Sequence, residues 1–147
     1  MHSPLKQIVD RKKAVYSIAE TDSALSAAKK MAEHRVGSLL VVDGDGKLIG
    51  IVTERDFLFK LVASEKDSKS LQVKEIMSKN LLTMNHHNTA QEALKLMTEK
   101  RIRHLPVYDD ENQFLGLLSI GDLTKWASSR YHVKHDEVND LVKYIQQ

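Results

Sequence analysis

Gly50-Ile51-Val52-Thr53-Glu54-Arg55-Asp56 meets a second version of itself in Gly116-Leu117-Leu118-Ser119-Ile120-Gly121-Asp122. In each stretch a glycine opens an apolar run, a hydroxyl residue closes it, and a carboxylate follows three residues later. The stretches lie 66 positions apart, and the same spacing carries the likeness outward over 15–59 and 81–125 without a gap. Identical pairs include Ala24/Ala90, Ala27/Ala93, Lys29/Lys95, Met31/Met97, Glu33/Glu99, Arg35/Arg101, Leu39/Leu105, Val41/Val107 and Asp43/Asp109. A duplication of this kind predicts two copies of one supersecondary unit in a pseudo-two-fold body.

Local patterning says what that unit is. In the first copy 15–18 reads as a short strand, and Thr21-Asp22-Ser23 offers helix-capping oxygens. Ala24, Ala27, Ala28, Met31 and Ala32 then recur at helical spacing. The run 36–42 is apolar, branched and too short for a helix, so it predicts a buried strand. Asp43-Gly44-Asp45-Gly46 supplies a tight turn, 47–52 returns as its partner, and a second helix begins at Thr53 and continues through Phe57, Leu58, Leu61 and Val62. The second copy predicts strands at 81–84, 102–108 and 114–119, a turn at 109–113, and helices at 89–100 and 120–127. The fold class is therefore α+β, with β-α-β-β-α twice. The expected organisation is a first repeat over 9–64, a polar linker over 65–72, a second repeat over 73–130 and a tail over 131–147. In that tail Val138, Leu141, Val142 and Ile145 share one helical face, suited to docking on its own domain or to dimerisation.

Composition narrows the function. Of 147 residues, 41% are hydrophobic and 29% charged, which speaks against disorder and against a membrane span. The first thirteen residues lack the apolar stretch of a signal peptide, so the expectation is a soluble, cytoplasmic protein. The absence of cysteine excludes disulfides, thiolate catalysis and cysteine-ligated zinc. A net charge of +2 is too small for a nucleic-acid footprint.

The hydroxyl-x-x-carboxylate ending has two readings. It is close to a capping box, which satisfies orphan backbone donors and nothing more. The same geometry puts free amides and a positive dipole end where a phosphate can bind, beside a carboxylate able to accept from ribose hydroxyls. Spacing alone favours the cap. Met31 and Met97 read as core, and Lys12-Lys13 as a solvated charge run. Adjacent side chains splay on most backbones, so His86-His87 makes no persuasive metal site, and His132-x-x-His135 lacks an accompanying acid or thiol. No nucleophile elbow, Walker loop or H-E-x-x-H motif is present, so no catalytic residue and no catalytic cofactor is expected.

The duplicated β-α-β-β-α order, both Gly-x-x-Thr/Ser-x-x-Asp endings and the string Arg101-Ile102-Arg103-His104-Leu105-Pro106-Val107 resemble a tandem pair of CBS domains, a Bateman module. More narrowly, Thr53 to Phe57 and Ser119 to Leu123 resemble short stand-alone CBS-pair proteins. The resemblance implies a cleft between the repeats with two pseudo-symmetric pockets for adenosine compounds such as AMP, ADP, ATP, NAD or S-adenosylmethionine. By position, Asp56 and Asp122 would hold ribose diols, and Thr53 and Ser119 would meet phosphate. The preferred pocket combines Ser119, Asp122, Arg103 and His104 with the backbone of Tyr16, Val36 and Gly37; the second combines Thr53, Arg55 and Asp56 with Leu82 and Ile102. Gly37 and Ser38 stand in the first copy where Arg103 and His104 stand in the second, so the pockets should not be equivalent. Arg55 would replace the missing cation, whereas Gly121 at its place brings only backbone. The family also implies a regulatory sensor acting on a partner enzyme or through a homodimer formed by the helices that carry Phe57, Leu58, Leu61, Leu123 and Trp126. The alternative is a ligand-free interaction scaffold.

Overall fold

The structure is a computed structural model that describes residues 4–9, 15–130, 142, 143 and 145. Lys12, Lys13, His132, His135, Val138 and Leu141 lie outside those residues. Val142 and Ile145 of the tail stripe are helical and exposed. The elements run α1 (Leu5–Val9), β1 (Ser17–Ala19), α2 (Ala24–His34), β2 (Ser38–Val42), β3 (Leu48–Thr53), α3 (Glu54–Asp56), β4 (Met84–Asn85), α4 (Ala90–Lys100), β5 (His104–Tyr108), β6 (Phe114–Ser119) and α5 (Ile120–Arg130). The expected order is thus present in both copies. Each copy forms a three-stranded sheet: β1 and β4 pair in parallel with β2 and β5, which pair antiparallel with β3 and β6.

The two hairpins use one device. Asp43 Oδ1 accepts from the amides of Asp45 and Lys47, and Asp109 Oδ1 accepts from those of Glu111 and Gln113. The left-handed turn position is Gly46 (φ 78°) in the first and Asn112 (φ 61°) in the second, the two residue types that tolerate it best. Helix α2 starts at Ser23, whose side chain accepts from the Ser26 amide; α4 starts at Thr89 in a reciprocal box with Glu92. Met31 and Met97 are buried, as their spacing requires.

Three local expectations change. The predicted strand 81–84 is found as Met84–Asn85, one residue shorter than β1 of the first copy, and Pro106 occupies the ladder position of Leu40. The Leu40 amide donates to the Tyr16 carbonyl at 3.0 Å, and proline has no N–H to do the same for Leu82. The helix after Thr53 is not a plain α-helix: beyond Asp56 it continues as a π-helical stretch, Phe57–Val62, where the second copy stays α-helical. Third, Leu61, Leu123 and Trp126, expected on a dimer surface, are buried in core, because each helix turns them toward its own sheet. Leu58, Phe59 and Val62 are the apolar residues that α3 and its continuation leave exposed, at 55%, 59% and 63%.

The compact units also differ from the sequence blocks. Ala14–Leu81 forms one; Leu82–Gln147 together with Met1–Lys13 forms the other. Helix α1, which the sequence patterning did not reveal, brings Leu5, Ile8 and Val9 into the core of the second sheet with Leu105, Leu118 and Trp126. Val73, Ile76 and Met77, placed by the sequence in the second repeat, complete the core of the first sheet with Leu39, Val41 and Val52. Each such side chain contributes about 1.5–3 kcal/mol on burial. Ser78 bridges Ile51 on β3 through two backbone hydrogen bonds of 2.9 and 3.1 Å.

This packing explains the Gly50/Gly116 identity. A Cβ on Gly50 would lie 2.7 Å from Met77 Sδ and 2.9 Å from the Ser78 carbonyl oxygen, and one on Gly116 would lie 2.4 Å from Val9 Cγ1. Gly116→Ala should cost about 1–3 kcal/mol, read as a drop in Tm of roughly 2–4 °C per kcal/mol. Val9→Ala in the same chain should recover part of that loss, because it removes the clashing methyl. Met77→Ala should not rescue Gly50→Ala, since the Ser78 carbonyl remains. Simple additivity in the Val9/Gly116 pair, measured by thermal unfolding, would show that the glycine has another reason to be there.

Candidate functional site

The two strand-to-helix junctions are built alike and are described one at a time. In the first, Ser38 opens β2 and pairs with Thr53 at the end of β3. The Glu54 amide donates to the Gly37 carbonyl at 3.1 Å, closing β3 onto the start of α3. Asp56 Oδ2 accepts from the Thr53 amide at 2.9 Å and from its hydroxyl at 3.2 Å. Its other oxygen lies 2.9 Å from Lys60 Nζ, which also donates to the Ile76 carbonyl. Asp56 is 7% exposed, the one buried charged side chain among the described residues. The Glu54 carboxylate lies against Gly37, close enough that a Cβ there would be 3.1 Å from Oε1. This junction therefore carries two acids, one lysine tied to one of them, and Arg55 between the acids in sequence.

The second junction repeats the backbone and changes the charge. His104 opens β5 opposite Ser119 at the end of β6, and the Ile120 amide donates to the Arg103 carbonyl at 3.0 Å. Asp122 Oδ2 accepts from the Ser119 amide at 2.7 Å, while Ser119 Oγ accepts from the Asp122 amide at 3.1 Å, a reciprocal cap. Position by position, Ile120 replaces Glu54, Trp126 replaces Lys60, and Arg103-His104 replace Gly37-Ser38. The Arg103 guanidinium donates to the Ile145 carbonyl of the tail at 3.0 Å. Arg103, His104, Ser119, Gly121 and Asp122 are thus gathered at one end of one sheet, with the start of the eleven-residue α5 among them.

So the capping reading of the motif holds in both copies. It does not consume the acids, because a carboxylate offers about four lone-pair sites. Of the other residues singled out by sequence, Tyr16 stacks on His34 with ring centroids 3.9 Å apart, and its carbonyl belongs to the β1–β2 ladder. Val36 and Ile102 hold matching places after Arg35 and Arg101, both at φ 53°, and their amides close the helix ends on the Met31 and Met97 carbonyls. Leu82 is exposed in irregular chain before β4. Arg55 is exposed, with its guanidinium 5.8 Å from the centre of the Phe59 ring one turn along. Glu54 and Lys60 were missed, although Asp56 and Lys60 stand at the i,i+4 spacing of a helical ion pair.

The histidine pair requires a correction. His86 and His87 do not splay: their ring centroids are 3.9 Å apart. The reason is the turn after β4, where the His86 amide reaches the Tyr108 carbonyl and the Asn85 side chain accepts from the His87 amide, coiling the backbone. Both rings approach Asp110 of the β5–β6 turn. Hydrogen bonds from His87 and Asn85 hold the exposed Asp110 carboxyl at about 2, below the ordinary carboxylate range.

Comparison with known proteins places this architecture. The CBS domain family matches the chain twice, over 5–63 and 73–129. The chain is 39% identical over 129 residues to the mitochondrial CBS domain-containing protein CBSX3 of Arabidopsis thaliana, covering 85% of this chain and 61% of that protein. It therefore spans less than two thirds of that relative's length. A putative signal-transduction protein with CBS domains from Burkholderia ambifaria is 40% identical, with a TM-score of 0.82 over 90% of this chain and 98% of its own. The CBS domain pair of protein MJ0100, solved with 5′-methylthioadenosine and S-adenosyl-L-methionine, is 26% identical, with a TM-score of 0.76 over 89% of this chain and 100% of its own. With the family matched over both halves, and the β-α-β-β-α unit with its hydroxyl-carboxylate junction present in each, the chain belongs to the CBS-domain family and carries a tandem pair of its domains.

Proposed function

We propose that this chain is a regulatory module that binds an adenosine-containing ligand, AMP, ADP, ATP or NAD in the first instance, and does not convert it. The observation that carries this reading is the second junction, where a hydroxyl and a carboxylate fixed at the start of α5 lie beside the backbone of Arg103 and His104, two cationic or titratable residues. Asp122 would accept from the ribose hydroxyls, and Ser119 Oγ, the α5 amides and Arg103 would meet a phosphate. Such a phosphate competes with one neutral carbonyl for Arg103, an exchange that favours the anion. The two adenosyl ligands named for the MJ0100 pair support the ribose end of the reading. They carry no phosphate, so the phosphate end rests on Arg103, His104 and Ser119.

The first junction is the weaker partner for an anionic ligand. Glu54 adds a negative charge beside Gly37, and Lys60 already neutralises Asp56, so a ribose there must compete with an internal ion pair. Regulation follows by linkage: a ligand that interacts differently with two arrangements of the protein shifts their populations by that difference, and a partner enzyme or a second subunit senses the shift. We propose the cytoplasm as the place of this work. As a separate matter, no helix among the described residues is long and apolar enough to cross a membrane.

Isothermal titration with AMP, ATP, NAD and S-adenosylmethionine tests the reading. Asp122→Ala should weaken binding by about one to two decades, the loss of a charge-assisted hydrogen bond worth roughly 1.5–3 kcal/mol. Asp56→Ala should weaken it less. No heat at millimolar ligand leaves the interaction-scaffold reading instead, and equal or reversed losses mean the other junction is the site.

That second reading has its own observation, the exposed Leu58, Phe59 and Val62 on the helix after Thr53. Three large apolar side chains on consecutive turns are poor solvent surface and suit a homodimer contact. Leu58→Asp with Phe59→Asp should convert a dimer to monomer in light scattering. A parent protein that is already monomeric at high concentration would remove the homodimer.

A further inference from the structure

His86, His87 and Asp110 lie at the far end of β5 from His104, where β4 turns into α4 and the β5–β6 hairpin folds back. Asp110 Oδ2 is 2.8 Å from His87 Nε2 and 3.5 Å from His86 Nε2, and the three ligand-type atoms all lie within 4.8 Å of one another. We propose that these residues form a binding site for a divalent transition-metal ion of the zinc class, distinct from the nucleotide junction.

Four observations carry it. Metal bonds of about 2.0–2.1 Å at tetrahedral angles put ligand atoms about 3.3 Å apart, so the two nitrogen-to-oxygen separations bracket what an ion needs, and the third separation lies within 4.8 Å. His86 Nε2 is buried and makes no well-formed hydrogen bond, its facing acceptor being Asp110 Oδ2 at 3.5 Å, a long contact that a bound ion would replace with two short ones. The other Asp110 oxygen accepts from Asn85 Nδ2 at 3.0 Å, while Asn85 Oδ1 holds the His87 amide at 2.9 Å, so one outer residue orients two ligands. Finally, the first copy keeps the same turns but has Ala19, Glu20, Thr21 and Gly44 at the corresponding positions. The shared scaffold therefore does not require this cluster.

The bland account is a His87–Asp110 pair on the surface, with side chains 69% and 65% exposed, which would contribute little. It accounts for His87 but leaves His86 only a long 3.5 Å contact with the same oxygen. Two imidazoles and one carboxylate suit zinc, nickel or cobalt rather than calcium or magnesium, which take oxygen ligands. Three protein ligands leave a coordination position for water or an external group. A bound ion would brace the turn after β4 against the hairpin tip and stabilise the protein by mass action.

The test uses untagged full-length protein stripped with chelator and titrated with zinc by calorimetry, with cobalt absorption as a second readout. One equivalent should bind, Tm should rise, and cobalt should give the visible band of a nitrogen-oxygen site. His87→Ala and Asp110→Asn, both at exposed positions, should each lose affinity at least about tenfold and abolish the Tm rise while matching the parent's Tm without metal. His132→Asn with His135→Asn should bind as the parent does. Failure to saturate at millimolar zinc, or unchanged affinity in either cluster variant, would overturn the site.

Discussion

The amide of the last strand residue, held by a carboxylate three residues further on, is the constraint from which both junctions follow. Thr53 and Ser119 each end a β-ladder, and each would leave its N–H orphaned as the chain turns into a helix. Asp56 and Asp122 accept those amides at 2.9 and 2.7 Å. The bond fixes the angle between strand and helix, and it immobilises hydroxyl and acid together before any ligand arrives. Preorganisation of that kind lowers the ordering cost of binding. The cap itself does not compete with the recognition role proposed for these carboxylates; it is what places the acid.

Most of this was legible because the duplication fixes one reading against another. A hairpin turn at Asp43 is plausible alone, and a second at Asp109 in register makes it firm. The glycine, hydroxyl and acid of each junction could be named from spacing. What stayed hidden depends on contacts distant in sequence or on a missing donor. Helix α1 is too short to show a period, and its Leu5, Ile8 and Val9 are fixed by a sheet formed a hundred residues later. Pro106 removes a ladder donor from the neighbouring strand, so nothing within 81–84 announces it. The approach of His86 to His87 comes from an asparagine-driven turn, which reverses the usual expectation for adjacent side chains. Lys60 stands four residues from Asp56, a spacing that a helical ion pair uses, but Arg55 offers a second cation beside the same acid and the sequence does not say which one it takes.

Duplicated scaffolds separate what the backbone demands from what a surface is free to become. Identity survives where a backbone needs it: Gly50 and Gly116 beneath a crossing segment, Asp43 and Asp109 in the hairpins, Asp56 and Asp122 at the junctions. Between the copies, charge diverges at positions that the shared fold does not need. At the junction, Glu54 and Lys60 give way to Ile120 and Trp126, and Gly37-Ser38 to Arg103-His104. At the opposite end, Glu20, Thr21 and Gly44 give way to His86, His87 and Asp110. Both changes concentrate ligand-type side chains on the second copy, one set suited to an anion and the other to a cation. A pair built this way is symmetric in its mechanics and polar in its chemistry. On the function proposed above, occupancy of the second copy alone would add to that inequality, the kind of difference by which a partner could distinguish bound from free.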